Sequence, residues 1–296
     1  MSGKPYIPFN IDNSENCFSN DSRIFFDEEL HQYTLDNGAC LTPVSAVISH
    51  FFKPFDCEYW SAKKARDRNV EQGLVKEEWD VKGHAASEVG THMHAQIENF
   101  FLKREQEMRY DFSYRGQYLQ VDEEFDISYE MAQFRRFLDS VELNPFRVEW
   151  RVFDEAQGVA GTIDLVCRNG ECFDIYDWKR SAKLPDTNRW QRGWKGLEHL
   201  EDTSYNHYCL QQNLYRYILE HNYGLRIGNM HLVAFHPDLA SFKLMRVPRM
   251  DKEIEHMLMG AVSKLAQSPV FHNMLKNIKQ SPYFHKRGLC HVRKFL

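Results

Sequence analysis

Three residues in one short stretch carry side chains suited to a hard cation and a charged oxygen. Asp164, Asp177 and Lys179 all lie in GTIDLVCRNGECFDIYDWKR, residues 161–180. Asn169-Gly170 is a two-residue hairpin signal between two apolar runs, so the stretch predicts two antiparallel strands. With that dipeptide as the loop, Arg168 pairs with Glu171, Asp164 lies opposite Ile175, and Thr162 lies opposite Asp177. Paired residues share a face, as do residues two apart on a strand. Asp164, Asp177 and Lys179 then project from one face, with the two aspartates diagonal neighbours about 7–8 Å apart. That face also carries Val166, Phe173 and Ile175; the other carries Ile163, Leu165, Tyr176 and Trp178. Both are apolar, as on strands covered from two sides. Two carboxylates on a covered face repel each other and lose hydration, so they need a cation, a shared proton or a set of donors. A hard divalent metal suits oxygen ligands, can bridge to phosphate and can activate water. Lys179 would orient that water or offset charge in the transition state. The alternative the residues leave open is a structural ion pair of Asp177 with Lys179, with Asp164 capping a turn.

Two further groups join this hairpin. GTHMHAQIE, residues 90–98, sets His94 and Glu98 four apart on one helical face, with Gly90 a turn earlier to permit close approach. His94 would offer a neutral imidazole to a metal, and Glu98 would ligate it or hold its water. His92 points elsewhere on the helix. Tyr208, Gln211 and Tyr215 form one helical stripe. Tyrosines so spaced are usually core, but Gln211 among them can reach a phosphate or the attacking water.

These groups need elements to place them. Asn37-Gly38 predicts a hairpin, and Thr42-Pro43 opens a helix. Residues 58–72 read as a polar, basic helix. Ser87 caps a helix to about residue 105, with Val89, Met93, Ile97 and Phe100 as its buried stripe. Residues 128–141 give another amphipathic helix. RVEWRVF, VAGTIDLVCR and ECFDIYDWKR are three strands in close order. A helix over about 203–222, the strands NMHLVAFH and SFKLMRV, and a helix from about 251 follow. This order predicts a mixed sheet with helices packed on it. Residues 1–22, with their Asn-, Ser- and Asp-rich run, read as a flexible lead-in. Residues 23–296 read as one domain: a mostly helical lobe over about 40–142, a core over about 143–270, and a basic segment at 271–296.

Among 296 residues the formal net charge is -5, which argues against a protein coated in positive charge. Local patches remain. Lys179, Arg180, Lys183, Arg189, Arg192 and Lys195 face one acid, Asp186, and no acid follows Glu255 in the basic C-terminal stretch. Each patch fits either a solvated face or a polyanion track. The seven cysteines contain no C-x-x-C pair, which disfavours a disulfide framework or zinc ribbon and suits a reducing compartment, cytoplasmic or nuclear. The start of the chain, MSGKPYIPFN, has neither a signal core nor a transit pattern, and no run suits a membrane span.

GTIDLV followed by DIYDWK resembles the signature of the PD-(D/E)XK nucleases. The chain is most similar to their RecB-like branch, which includes the mitochondrial genome maintenance exonuclease and many phage nucleases. Gly90 to His94 resembles that branch's G-x-x-x-H helix, and Gln211 to Tyr215 its Q-x-x-x-Y helix. The resemblance implies an α/β, restriction-endonuclease-like core: a mixed sheet flanked by helices, with an N-terminal mostly helical lobe. It implies Mg²⁺ or Mn²⁺ held by Asp164, Asp177, His94 and the Trp178 carbonyl, with Lys179 as catalytic lysine and Glu98 assisting. Gln211, Tyr215, Arg180 and Lys183 would meet substrate, and Glu149 would be an auxiliary acid. The implied activity is hydrolysis of DNA, by an exonuclease at ends or single strands in replication, repair or recombination. A structure- or sequence-specific endonuclease and an inactive DNA-binding protein are the alternatives. Only Cys290 lies beyond Cys209, so no iron–sulfur cluster is expected. No helicase phosphate loop is present, so unwinding would fall to a helicase or recombination partner.

Overall fold

The computed structural model describes residues 11–28 and 30–260. The basic segment at 271–296 and the first ten residues lie outside them.

Among the described residues the sheet has eight strands. In chain order these are β1 (Ile24–Asp27), β2 (Gln32–Leu35), β3 (Cys40–Pro43), β6 (Pro145–Asp154), β7 (Val159–Asn169), β8 (Cys172–Arg180), β9 (Ile227–Phe235) and β10 (Lys243–Arg246), with β4 (Arg109–Arg115) and β5 (Gln120–Asp126) forming a separate hairpin. β3 runs parallel to β7 and β8 parallel to β9, while the other neighbours are antiparallel. The mixed sheet expected from the element order is therefore observed. The helices are α1 (Val44–Ser49), α2 (Cys57–Arg68), α3 (Gln72–Phe101), α4 (Ser128–Ser140), α5 (Ser204–Asn222) and α6 (Asp251–Gly260). One apolar layer joins α1, α5 and α6 to the sheet through residues such as Val47, Leu214 and Met257. The other joins α3 and α4 through Val89, Met93, Ile97, Phe134 and Phe137.

Four details differ from or add to the expected elements. The hairpin turn lies at Gly170-Glu171, because Asn169 pairs with Cys172. The register is thus shifted by two from the predicted one. The shift is even, so side chains keep their faces. Second, Ser87 does not start a helix: α3 begins at Gln72 and runs through it for 30 residues. Trp79 and Gly83 are buried along its first half, so packing carries the helix past a residue that resembles a cap. Third, the lobe is mostly helical as expected, and it also contains β4 and β5. Their tip is pinned to α3 by Glu77, whose carboxylate accepts the N–H groups of Gln117, Tyr118 and Leu119 at 2.6–2.8 Å. Fourth, residues 11–22 are packed rather than loose. Asn13 donates to Val148 O and accepts from Val148 N at 3.0 and 3.2 Å, standing in for a strand partner on the open edge of β6. Asp21 accepts from Arg147 and from the Trp150 indole at 2.6 and 2.8 Å.

The feature that creates a site is a fork in the sheet. β6 covers one edge of β7 along most of its length. The other edge is shared: β3 pairs with Val159 and Ala160, and β8 with Leu165 to Asn169. Residues Gly161 to Asp164 therefore have no ladder partner on that edge. At the same level Ile163 packs in the α5 layer and Leu165 in the α3 layer, so the strand turns sharply there and Ile163 does not share Leu165's side as predicted. Across the pair, Val148 and Trp150 divide between the layers in the same way. Glu149 between them holds φ at +45°, the left-handed region that a glutamate rarely adopts.

Candidate active site

The fork opens into a cavity of about 680 Å³. Continuing the observed register brings Asp164 opposite Asp177, closer than the predicted diagonal. The ladder stops one residue short of that pair. In its place Asp164 Oδ2 accepts the N–H of Trp178 at 2.8 Å, so the carboxylate fills a backbone position where the strands part. The same oxygen lies 3.3 Å from His94 Nδ1 on α3. Asp177 is 2% exposed, and its Oδ2 lies 2.5 Å from Lys179 Nζ. The ammonium also sits 4.3 Å from the centre of the Tyr208 ring. Burial pushes the Asp177 carboxyl above the usual carboxylate range. Lys179 opposes that rise, and the charge of Asp164 adds to it.

His94 Nδ1 is buried and makes no hydrogen bond among the described residues. His94, Glu149 and Asp164 each offer a ligand atom, and these atoms lie within 4.8 Å of one another. One imidazole nitrogen and two carboxylates make a donor set for a hard or borderline divalent ion, not for a soft one. Like charges this close, with an imidazole lacking a hydrogen bond beside them, fit a cation better than a set of structural bonds.

The neighbouring residues are positioned by identifiable contacts. Gly161 is required by Tyr215: a Cβ there would lie 2.5 Å from Tyr215 Cε1 and 2.9 Å from its hydroxyl. Tyr215 is buried, and its hydroxyl accepts from Gln211 Nε2 at 3.1 Å. Burial raises its pKa well above the ordinary value, with Tyr33, Asp177 and Asp164 adding to the rise. Thr162 shares a 2.9 Å hydrogen bond with the Tyr33 hydroxyl, tying the β1–β3 meander to the fork.

The cavity wall includes His94, Glu98, Asp164, Asp177 and Lys179, together with Trp178, Gln211 and Tyr215. Glu98 lies in the wall beside Arg104 at 3.7 Å but outside the three-residue ligand cluster, where Glu149 stands instead. Trp178 meets Asp164 through its N–H. Gly90 has no atom within 4 Å of a Cβ position, so it leaves open space at the cavity rather than a tight helix contact. Arg180 also lines the cavity and is anchored from behind. Its Nε donates to Glu130 Oε1 at 2.7 Å, and Glu130 is fully buried in α4, so the guanidinium is tied to the core where it meets the cavity wall. Lys183 is exposed and outside the cavity wall. His92 turns to Glu107 O and the Tyr110 ring, away from the fork. One pair was missed from sequence: His207, buried in the wall and bonded to Asp202 at 2.9 Å. Its signal was its place one turn before Gln211 on the same stripe.

No curated protein matches the sequence. Among solved structures the chain is similar to the crystal structure of SSO0001, at 13% identity over 73% of this chain and 72% of that one, with a TM-score of 0.28. It is also similar to an alkaline exonuclease (LHK-Exo) from Laribacter hongkongensis, at 12% identity over 64% of this chain and 86% of that one, with a TM-score of 0.32. The decisive match is to a family model, that of the PD-(D/E)XK nuclease superfamily, over residues 58–287. That span takes in α3, the fork between β7 and β8, and α5, the elements that carry His94, Asp164, Asp177, Lys179 and Gln211. With most of its length matched, the chain belongs to the PD-(D/E)XK nuclease superfamily.

Proposed function

We propose that this protein is a divalent-cation-dependent nuclease that hydrolyses DNA phosphodiester bonds, acting as an exonuclease on ends or single strands. The observation that carries the reading is the fork itself: Asp164, Asp177 and Lys179 meet where β7 and β8 part, with His94 and Glu149 beside them. Asp164, Glu149 and His94 would hold the ion, with Asp177 and the Trp178 carbonyl completing its surroundings. Mg²⁺ or Mn²⁺ bound there supplies Lewis acidity toward a phosphoryl oxygen and a lowered pKa for water.

The chain's own groups do the rest. Lys179 places a positive charge at the buried end of the cavity, where negative charge grows on the phosphorane-like transition state. The Tyr208 face and the Asp177 carboxylate hold that ammonium in place. Gln211, fixed by the Tyr215 hydroxyl, presents its amide to the substrate side. Glu98 in the wall can accept a hydrogen bond from water approaching the phosphate.

The test is digestion of end-labelled linear DNA and closed circular DNA with Mg²⁺ or Mn²⁺. Asp177→Asn keeps the side-chain volume and lowers the rate by at least about 10²–10³-fold. Cleavage confined to linear DNA supports the exonuclease reading, and rapid cutting of closed circles replaces it with an endonuclease. A folded parent chain that cuts no DNA with either ion refutes the proposal.

A further inference from the structure

The segment 181–203 joins β8, which ends just past Lys179, to α5, whose first two turns line the cavity. It carries two tryptophans in different settings. Trp194 is packed: its indole N–H donates to His50 O at 2.9 Å, and Lys195 lies 4.5 Å over its ring. Trp190 is 94% exposed. A large apolar ring left almost wholly in water is the kind of exposure that marks a binding surface when its surroundings are built to present it.

The surroundings are so built. Asn188 Oδ1 accepts the N–H groups of Trp190 and Gln191, both at 3.1 Å. Asn188 in turn donates to Glu201 Oε2 and to Asp202 O, each at 2.9 Å. The two arms are closed by the Arg192–Glu201 bridge and by Gly193 N–H to Leu200 O at 3.0 Å. Trp190 is thus held out on a braced support.

Charge is sorted around it. Each nearby acid is engaged by backbone N–H groups: Asp186 by Ser204 and Tyr205, Glu201 by Asn188, and the exposed Glu198 by Gly196. Arg189, Arg192 and Lys195 are exposed, and Arg189 makes no ion pair among the described residues. A bare indole flanked by cations matches a single-stranded polyanion that carries flat aromatic bases.

The support also reaches the catalytic cavity. Asp202, which accepts from Asn188 through its carbonyl, holds His207 of the cavity wall through its carboxylate. Three hydrogen bonds and two short side chains separate the Trp190 backbone from that wall, a span of about 15 Å or less. That is a few nucleotides of DNA at roughly 3.4 Å or more each.

We propose that Trp190 is a stacking platform for an unpaired nucleobase, holding single-stranded DNA whose backbone continues into the cavity while Arg189 and Arg192 meet its phosphates. This rests on the nuclease reading above and deepens it by naming unpaired DNA as the form engaged.

The test uses the full chain carrying Asp177→Asn, so that DNA is bound but not cut. Binding of a labelled oligothymidylate is compared with that of an abasic strand of equal length. Trp190→Ala weakens oligothymidylate binding by about 5- to 150-fold, the range of one lost stacking contact. Trp190→Phe loses less, and neither substitution changes abasic-strand binding by more than about twofold. Oligothymidylate binding by Trp190→Ala within about twofold of the parent, or an equal loss on the abasic strand, overturns the proposal. A second arm keeps the two readings apart: hydrolysis of bis(p-nitrophenyl) phosphate with Mn²⁺ by chains that retain Asp177. This substrate is too small to span from the cavity to Trp190, so Trp190→Ala hydrolyses it at the parent rate. Hydrolysis by a parent chain that binds no oligothymidylate removes the Trp190 proposal alone. No hydrolysis, and no cutting of DNA, removes the nuclease reading and this one with it.

Discussion

Replacing Arg180 by Met separates two roles that a basic residue next to Lys179 can have. In the structure its Nε lies 2.7 Å from Glu130 Oε1, with side-chain exposures of 15% and 0%. Glu130 Oε2 has no other hydrogen-bond partner among the described residues, so Arg180 carries the compensation for a fully buried carboxylate. Removing one member of a buried pair strands the other charge, at about 3–5 kcal/mol. For a domain of this size each kcal/mol lowers Tm by about 2–4 °C, so Arg180→Met falls by roughly 6–20 °C. Glu130→Met alone, which strands Arg180, falls as well, though less, since Arg180 is nearer to solvent. The double substitution recovers most of the loss, because a buried pair exchanged for apolar residues is close to neutral. The assay is thermal unfolding followed by circular dichroism on all four chains, with DNA binding measured in parallel. Arg180→Met melting within about 2 °C of the parent while binding DNA much more weakly would refute the structural assignment and restore the substrate role first expected for this residue.

Gly161→Ala pushes a methyl group into the buried Tyr215 ring, whose nearest atom stands 2.5 Å from the new Cβ. It destabilises by about 1–3 kcal/mol and displaces Gln211 through its bond to Tyr215, so urea unfolding and DNA cleavage both record a loss. Acid destabilises the fold through His231, whose pKa burial holds below 6.5; the unfolded chain takes up a proton that the folded chain resists, so stability is full above about pH 6.5 and declines below it. Urea midpoints between pH 7.5 and 5.5 measure this. His231→Phe, which keeps the stack on Tyr176, shows a smaller acid decline than the parent.

The β7–β8 hairpin was legible because its information is local. Asn169-Gly170 announces a reversal, and alternation fixes which side chains travel together. The turn falls one residue from where the dipeptide suggests, yet the register moves by two, an even number, and the Asp164, Asp177 and Lys179 set survives. What sequence did not reveal depends on distant partners. Asn13 belongs to a polar run that reads as loose chain, but its amide pairs with Val148 across 135 residues. Arg180 reads as one of a string of cations, and only the fold shows that Glu130, 50 residues earlier, is buried against it. Ser87 has the chemistry of a cap, but the packing of Trp79 and Gly83 keeps the helix going. Polar side chains are ambiguous in sequence because each can be satisfied by water or by a partner, and the choice is made by tertiary structure.

Glu149 is where local rules and tertiary demands conflict most directly. RVEWRVF reads as an ordinary strand, and nothing in it asks for a left-handed residue. A glycine would take φ of +45° at little cost, whereas glutamate carries a strain of order 1–3 kcal/mol. The surroundings must hold it there. Val148 and Trp150 on either side anchor in opposite apolar layers, both almost fully buried, so the backbone between them has to turn. The turn sets Glu149 across from Asp164 and brings its carboxylate into reach of both Asp164 and His94. A relaxed strand would not need a charged residue at this point, and a turn made only for packing would favour glycine. The combination of a strained backbone with an acidic side chain therefore makes sense where the carboxylate has work at the fork, and it is the bend in β6, as much as the better marked hairpin, that brings a third candidate ligand to the cavity.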